Sequence, residues 1–298
     1  MLGLEPLAVA LALDDRRGSC DAPGVKDPRE VRRDVAAKLG REAVQIGRDG
    51  RYVAPSGQVV DISRMVEDAL TRTLSIPPGE QLGTCPVGQL STRIRVNNES
   101  TLVASLRLHR AGLRPAALNF ASARHPGGGV LTGARAQEES LARSSALYAC
   151  LEGQPYYEHH AKGDSMYSSW LLYSPDVPVF RDDDGALLEE PWPCTFITGA
   201  APMVKALRER RSERLAEVPG VMRERIARVL TVAAREGHAS VVLGAWGCGA
   251  FGGDTESVAG IFKEALAGPF RGVFEEVVFA VLDATEELRF IGPFERRF

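Results

Sequence analysis

The sequence predicts an α/β fold, a sheet covered by helices on both faces, and three observations carry that expectation. Strand and helix signals alternate from residue 91 to near the C-terminus. Two strand signals, "PAALNFAS" and "ASVVLG", each run directly into a glycine-rich loop. Each loop in turn opens a helix, and ligands of such sheets bind beyond the carboxyl ends of the strands.

Element by element, "DPREVRRDVAAKLGREAVQIG" carries a strong helix start. Asp27 is the N-cap, Pro28 the first helical residue and Glu30 the capping-box acid. Val31, Val35, Leu39 and Val44 keep near-helical spacing, and Gly47 stands where the helix should stop. "RYVAPSGQVVDIS" reads as a short hairpin around "PSG", and residues 62–74 as a second helix ended by "IPPGE".

From residue 91 the texture changes. "TRIRVNN" alternates as a strand, and "STLVASLRLHRAG" is a helix with a hydroxyl cap and a closing Gly112. After the buried strand "PAALNFAS" and the first glycine loop, "ARAQEESLARSSALYACL" is helical in composition. Residues 153–191 read as a Pro- and Asp-rich excursion, after which "PCTFITGAA" is another buried strand. Two helical stretches divided by Pro219-Gly220 follow. Then come the strand and glycine loop of "ASVVLGAWGCGAFGG", a helix capped by Asp254, and a last strand in "FEEVVFAVLD". The expected organisation is a mostly helical extension over 1–90 packed as one unit on an α/β core over 91–298.

Composition narrows the function. The 298 residues are 44% hydrophobic and 25% charged, ordinary for a globular chain, with a formal net charge of −3. No global basic field for nucleic acid exists, so an anionic ligand must be met by local dipoles and backbone amides. Five scattered cysteines without a CxxC pair fit a reducing compartment, and no run reaches the roughly 18 apolar residues of a membrane helix. The N-terminal "MLGLEPLAVALALDD" lacks a basic start and runs into Asp14 and Asp15, so the expected location is cytoplasmic.

The first loop, from Gly127 through Gly128 and Gly129 to Gly133, offers bare amides ahead of a helix N-terminus, a ready anion site. Its alternative is a tight turn that needs positive φ. The second, "GAWGCGAFGGD", also precedes a helix and suits a diphosphate; read from Gly247 it satisfies a loose GxGxxG, a weak signal alone. No GxxxxGK[ST] loop is present. Phe251 is either a platform for a sugar or base, or a plain apolar anchor.

Beyond a seven-residue spacer after Gly129 come Gln137, Glu138 and Glu139. A glycosidic bond breaks through an oxocarbenium-like state and requires a carboxylic acid to protonate the departing oxygen. Two adjacent acids in a first helical turn could divide such work, or could be a solvated helix start. A tension comes with the catalytic reading. A helix N-terminus favours carboxylate, whereas a general acid must keep its proton, so burial or a like charge has to raise the pKa. Elsewhere the plain readings hold: His159 and His160 as a surface pair, His125 as a solvent-facing loop residue, and Cys248 as a thiol without a histidine partner.

At "LNFASARHPGGGVLTGARAQEES" the chain resembles the bacterial-type poly(ADP-ribose) glycohydrolases, whose signature is three glycines, a spacer of roughly six to eight residues and Gln-Glu-Glu. "GAWGCGAFGGD" is similar to that family's second loop, and the likeness runs from about residue 28 to near the C-terminus. The resemblance implies a macrodomain, a three-layer α/β/α sandwich with a mixed central sheet. It implies hydrolysis of the ribose–ribose bond of poly(ADP-ribose), mainly from chain ends, with no metal or redox cofactor. Carried over by position, Glu139 is the general acid/base and Glu138 a ribose-hydroxyl ligand beside it. Gln137 belongs to the substrate-binding set, and Asn119 holds a ribose hydroxyl. Gly127, Gly128 and Gly129 contour the catalytic loop, while Gly247, Cys248, Gly249, Ala250 and Phe251 wrap the diphosphate and terminal ribose. The family often carries Asn where this chain has His125 and Met203, and no role is assigned to those two. The implied partners are poly(ADP-ribose), ADP-ribose and ADP-ribosylated proteins, with a monomeric enzyme and a role in recovery from DNA damage. A non-catalytic ADP-ribose reader and a hydrolase of mono-ADP-ribosylated protein remain alternatives, with a dinucleotide oxidoreductase as fallback.

Overall fold

The computed structural model describes residues 31–83 and 88–298. Asp27, Pro28 and Glu30, the expected helix-start signals, lie outside the described residues, as do the N-terminal apolar stretch, Cys20 and Cys85.

The first helix, α1, spans Arg33–Asp49. Its buried stripe is made of small residues, Ala36, Ala37, Gly40, Ala43, Val44 and Gly47, while Val35 and Leu39 are only half-buried. Gly47 therefore does not end the helix; it lies buried inside it, where an added Cβ would stand 3.9 Å from the Ala146 and Ala149 Cβ atoms. The stop is Gly50, whose φ of 65° supplies the left-handed cap. A hairpin of β1 (Arg51–Val53) and β2 (Val59–Asp61) follows as expected, then α2 (Ser63–Thr71).

The sheet strands are β3 (Leu74–Ile76), β4 (Arg93–Asn97), β5 (Pro115–Phe120), β6 (Leu171–Arg181), β7 (Leu187–Gly199), β8 (Ser240–Leu243) and β9 (Glu276–Ala280). They form one seven-stranded sheet in the order β3-β6-β7-β5-β8-β9-β4. The five strands from β7 to β4 run parallel, while β6 is antiparallel to both β7 and β3. β3 precedes residue 90, so the N-terminal region gives this sheet one of its edges.

Alternation along the strands builds two cores. In β5, Ala116 and Leu118 join the cluster holding α8 (Val218–Arg235) and α9 (Thr255–Ala267). Ala117 joins the opposite cluster, with α3 (Thr101–Arg110), α5 (Leu147–Leu151) and α6 (Pro155–Ala161). Because strand side chains alternate, Asn119 falls on the Ala117 side. Val241, Leu243, Val277 and Phe279 face the first cluster; Val242 and Val278 face the second. The result is the three-layer α/β/α sandwich with a mixed central sheet.

Three expectations need correction. The "excursion" over 153–191 contains α6, all of the eleven-residue β6 and the start of β7. Pro175, Asp176 and Pro178 hid the strand, because proline cannot donate to a ladder. The chain accommodates them with a register shift between Ser174 and Val177, where Asp176 adopts φ 49°, and beyond the three residues that pair with β3. Pro219-Gly220 does not divide two helices; after α7 (Val204–Arg210) and a 3₁₀ stretch at Ser212–Glu217, Pro219 lies in the first turn of α8, where its missing N–H costs nothing. His160, expected on the surface, is buried. Its Nδ1–H donates to the Tyr156 carbonyl (2.8 Å) and Nε2 accepts from Ser168 N–H (3.1 Å) and Oγ–H (2.8 Å). Burial lowers its pKa to about 4.

α1 lies so close to the loop after β5 that a Cβ on Gly40 would overlap the Val130 carbonyl. Gly40→Ala raises helix propensity by about 1 kcal/mol, yet overpacking costs about 1–3 kcal/mol. We expect a net loss of up to roughly 2 kcal/mol in urea unfolding; a midpoint at or above wild type would show that α1 and Val130 are not in this contact.

Candidate active site

A cavity of about 770 Å³ opens where the loops after β5, β8 and β9 meet the N-terminus of α3. Each wall follows from local chemistry. α3 begins at Ser100, whose side chain accepts from Val103 N–H, as a hydroxyl N-cap should. α9 begins at Asp254, which accepts from Ser257 N–H at 2.9 Å. Both caps were legible in the sequence.

After β5 the chain turns through Gly127 (φ 63°) and Gly128 (φ 60°), passes a 3₁₀ turn at Val130–Thr132, and enters α4 (Gln137–Ser144). Glycine is required twice over at Gly128. Its φ is left-handed, and a Cβ there would overlap Glu139 Oε1. The next residue, Gly129, donates its N–H to Glu139 Oε1 at 2.8 Å. Oε2 of Glu139 is left without a partner among the described residues, on a side chain that is 7% exposed and lines the cavity.

The Glu138 carboxyl closes on the same glycine, its Oε2 standing beside Gly128 as Glu139 Oε1 does. It is 3% exposed, and its Oε2 accepts from Ser122 N–H at 2.6 Å. Burial raises its pKa well above the usual 4.5, against the opposing hydrogen bond from Ser122 and with help from the neighbouring Glu139 charge. The tension between helix N-terminus and retained proton is thus resolved for Glu138 by desolvation. Its Oε1 and the Oδ1 of fully buried Asn119 both lack partners, and Asn119 stands within hydrogen-bonding reach of the carboxyl. The hydrogen bond from Asn119 favours the charged form, and burial outweighs it.

The second loop is built on Trp246, which is buried and donates its indole N–H to the Gly199 carbonyl at the end of β7 (3.2 Å). Gly247 takes φ 79°, and a side chain there would run into Ala201. Cys248 N–H is used by Ala245, Gly252 N–H by Gly249 and Gly253 N–H by Gly247. The N–H groups of Gly249, Ala250 and Phe251 have no acceptor among the described residues.

Of the residues singled out in the sequence, Gln137, Glu138, Glu139, Gly247, Gly249, Ala250 and Phe251 line the cavity. Asn119 lies beneath Glu138 with its Nδ2 on Thr198 Oγ1 (3.1 Å), and Gly127–Gly129 flank the acids rather than the cavity wall. Cys248 is buried, its thiol pushed up to about 12 by burial. Gln137 uses both its N–H donors and one carbonyl lone pair: Oε1 accepts from Phe120 N–H, and Nε2 donates to Leu118 O and Thr101 Oγ1. It is a staple between α4, β5 and α3. Sequence reasoning did not find Asp183, Lys205, Arg289 and Phe290, which also line the cavity. Nothing local marks Asp183, which comes from the tip of the β6–β7 hairpin to meet Ser100 Oγ.

Comparison with known proteins agrees with this geometry. The model of the microbial-type PARG catalytic domain matches residues 40–182. The crystal structure of poly(ADP-ribose) glycohydrolase from Thermomonospora curvata shares 47% identity over 89% of this chain and 100% of its own, with a TM-score of 0.84. The chain belongs to the microbial-type poly(ADP-ribose) glycohydrolase family. The same T. curvata enzyme bound to the inhibitor ADP-HPD matches at 48% identity, 89% and 100% coverage, and a TM-score of 0.83. The Deinococcus radiodurans enzyme in complex with ADP-ribose matches at 42% identity over 80% of this chain and 98% of its own, with a TM-score of 0.76. No curated protein gave a significant match.

Glu138→Gln tests the electrostatics. The raised carboxyl stabilises the fold fully below its unfolded pKa, near 4.5, and that contribution is lost as pH rises toward its folded value. The glutamine can keep the Ser122 bond and offer an N–H to Asn119. The variant's Tm should therefore match wild type near pH 4 and exceed it increasingly above about pH 6. A difference that does not change with pH would sink the burial argument.

Proposed function

We infer that the protein hydrolyses the ribose–ribose O-glycosidic bond of poly(ADP-ribose), with Glu139 as general acid and then general base. The observation that carries the residue assignment is the Gly129 N–H bond to Glu139 Oε1, which leaves Oε2 unpartnered on a cavity-lining side chain. Oε2 is the oxygen to protonate the departing ribose hydroxyl and, once the oxocarbenium-like ion has formed, to take a proton from the attacking water. Glu138, sharing the wall, holds the ribose hydroxyls. The acceptor-free N–H groups of Gly249, Ala250 and Phe251 receive the diphosphate, as backbone amides do at anion sites. Phe251, half-buried in the same wall, packs against the terminal ribose.

Asn119 supports the ribose site by bracing Glu138, and Gln137 by fixing the helix that carries both acids. Release takes place mainly from chain ends, a mode favoured by the wall that the segment after β9 adds with Val281, Leu282, Arg289 and Phe290. ADP-ribosylated proteins are the macromolecular partners. A reducing, cytoplasmic setting fits the free, buried thiols of Cys150, Cys194 and Cys248.

Digestion of poly(ADP-ribose) with product chromatography checks this. Wild type should release ADP-ribose, whereas Glu139→Gln should bind ADP-ribose with unchanged affinity and lose about 10²–10⁴-fold in kcat. Binding without cleavage by both proteins would mark a reader; cleavage of mono-modified protein alone would mark the other hydrolase.

A further inference from the structure

Poly(ADP-ribose) continues beyond the bond that is cut. If Glu139 protonates the leaving oxygen, the leaving arm of the polymer must pass beside Glu139, and the nearest surface is the loop that holds that acid. This loop, Gly129–Arg135, closes on itself through Ala134 N–H to Gly129 O (3.0 Å).

Its outer side is gripped by cations. Arg33 Nε donates to the Thr132 carbonyl (3.1 Å) and Arg41 to the Leu131 carbonyl (3.2 Å). Arg135, on the loop itself, lines the cavity and reaches back to the Val31 carbonyl (3.1 Å). All three residues are exposed. Other arginines of this region have carboxylate partners: Arg32 pairs with Asp34, Arg48 with Glu152 and Arg181 with Glu42. Among the described residues, Arg33 and Arg41 meet no carboxylate at ion-pair distance. In a chain of net charge −3, two such cations beside the catalytic loop are not a by-product of general basicity.

We propose that Arg33 and Arg41, with Arg135 at the cavity rim, form a subsite for the diphosphate of the polymer unit on the leaving side of the scissile bond. The proposal rests on the glycohydrolase reading and on Glu139 as its acid. Each guanidinium carries five N–H donors in a planar fork. In Arg33 and Arg41 one holds a loop carbonyl, and the rest remain for phosphate oxygens, which guanidinium forks match in geometry. The N-terminal helix thereby serves the substrate as well as the loop.

The test is the double variant Arg33→Gln/Arg41→Gln in the full chain, with Arg33→Lys/Arg41→Lys beside it. Steady-state hydrolysis of long poly(ADP-ribose) is followed at several salt concentrations, and ADP-ribose binding by calorimetry. The glutamine variant should raise KM for polymer about tenfold and flatten the slope of log(kcat/KM) against log salt by about one. Its affinity for ADP-ribose should not change, and the lysine variant should recover most of the salt slope. A fall in kcat with KM and salt slope unmoved would mean that the arginines only hold the loop, and would overturn the proposal. Wild-type kinetics on polymer from the variant would overturn it equally. Failure of wild type to cut polymer would instead reject the glycohydrolase reading itself.

Discussion

The site depends on one hydrogen bond, from Gly129 N–H to Glu139 Oε1. A backbone donor fixes the carboxyl's rotamer without competing for the second oxygen, so one atom is anchored and the other is available for chemistry. The bond requires the chain to approach a side chain more closely than any Cβ would allow. Gly127 and Gly128 meet that requirement with left-handed φ, and Gly128 also vacates the volume that the carboxyl fills. The loop lies tight against α1, since a Cβ at Gly40 would overlap Val130 and one at Gly133 would overlap the Arg33 carbonyl. Glycine faces backbone twice across this contact, which places α1 within the catalytic architecture rather than beside it.

The electrostatics follow from where each acid points. Glu138 and Glu139 are consecutive in a first turn, about 100° apart around the helix axis. Glu138 reaches back toward the end of β5, where Ser122 N–H and burial compete over its charge and burial prevails. Glu139 bonds the Gly129 N–H, and both carboxyls close on Gly128. A pair of like charges so near each other would be costly in a desolvated site. A single proton retained by the pair of carboxyls relieves that cost.

What the sequence made legible was whatever is decided within a few residues. The caps at Ser100 and Asp254, the apolar run of β5 and both glycine loops carry their cause in their own neighbourhood. β6 did not, because Pro175 and Pro178 break the local pattern, and only the bulge opposite β7 and the short reach of β3 make them tolerable. Gly47 and Gly50 look alike in sequence. Packing against Ala146 and Ala149 makes one a helix residue, and the chain reversal into β1 makes the other a cap. The site divides in the same way. That two acids follow three glycines is local information, whereas the arrival of Asp183 from a distant hairpin tip and of Lys205 from α7 is not.

Gln137 shows how a residue of a functional signature can act through alignment. Its carbonyl accepts from Phe120 N–H, the last residue of β5, and its amide donates to Leu118 O and Thr101 Oγ1. These three bonds to two other elements use both N–H donors and one of the two carbonyl lone pairs. They do fix the rotation of α4 relative to β5. That rotation determines whether Glu138 meets Ser122 and whether Glu139 meets Gly129, since a turn of the helix by one residue would exchange the two positions. A signature of amide plus two acids therefore encodes one alignment and two chemical groups. The glycines before it encode the room that the alignment needs.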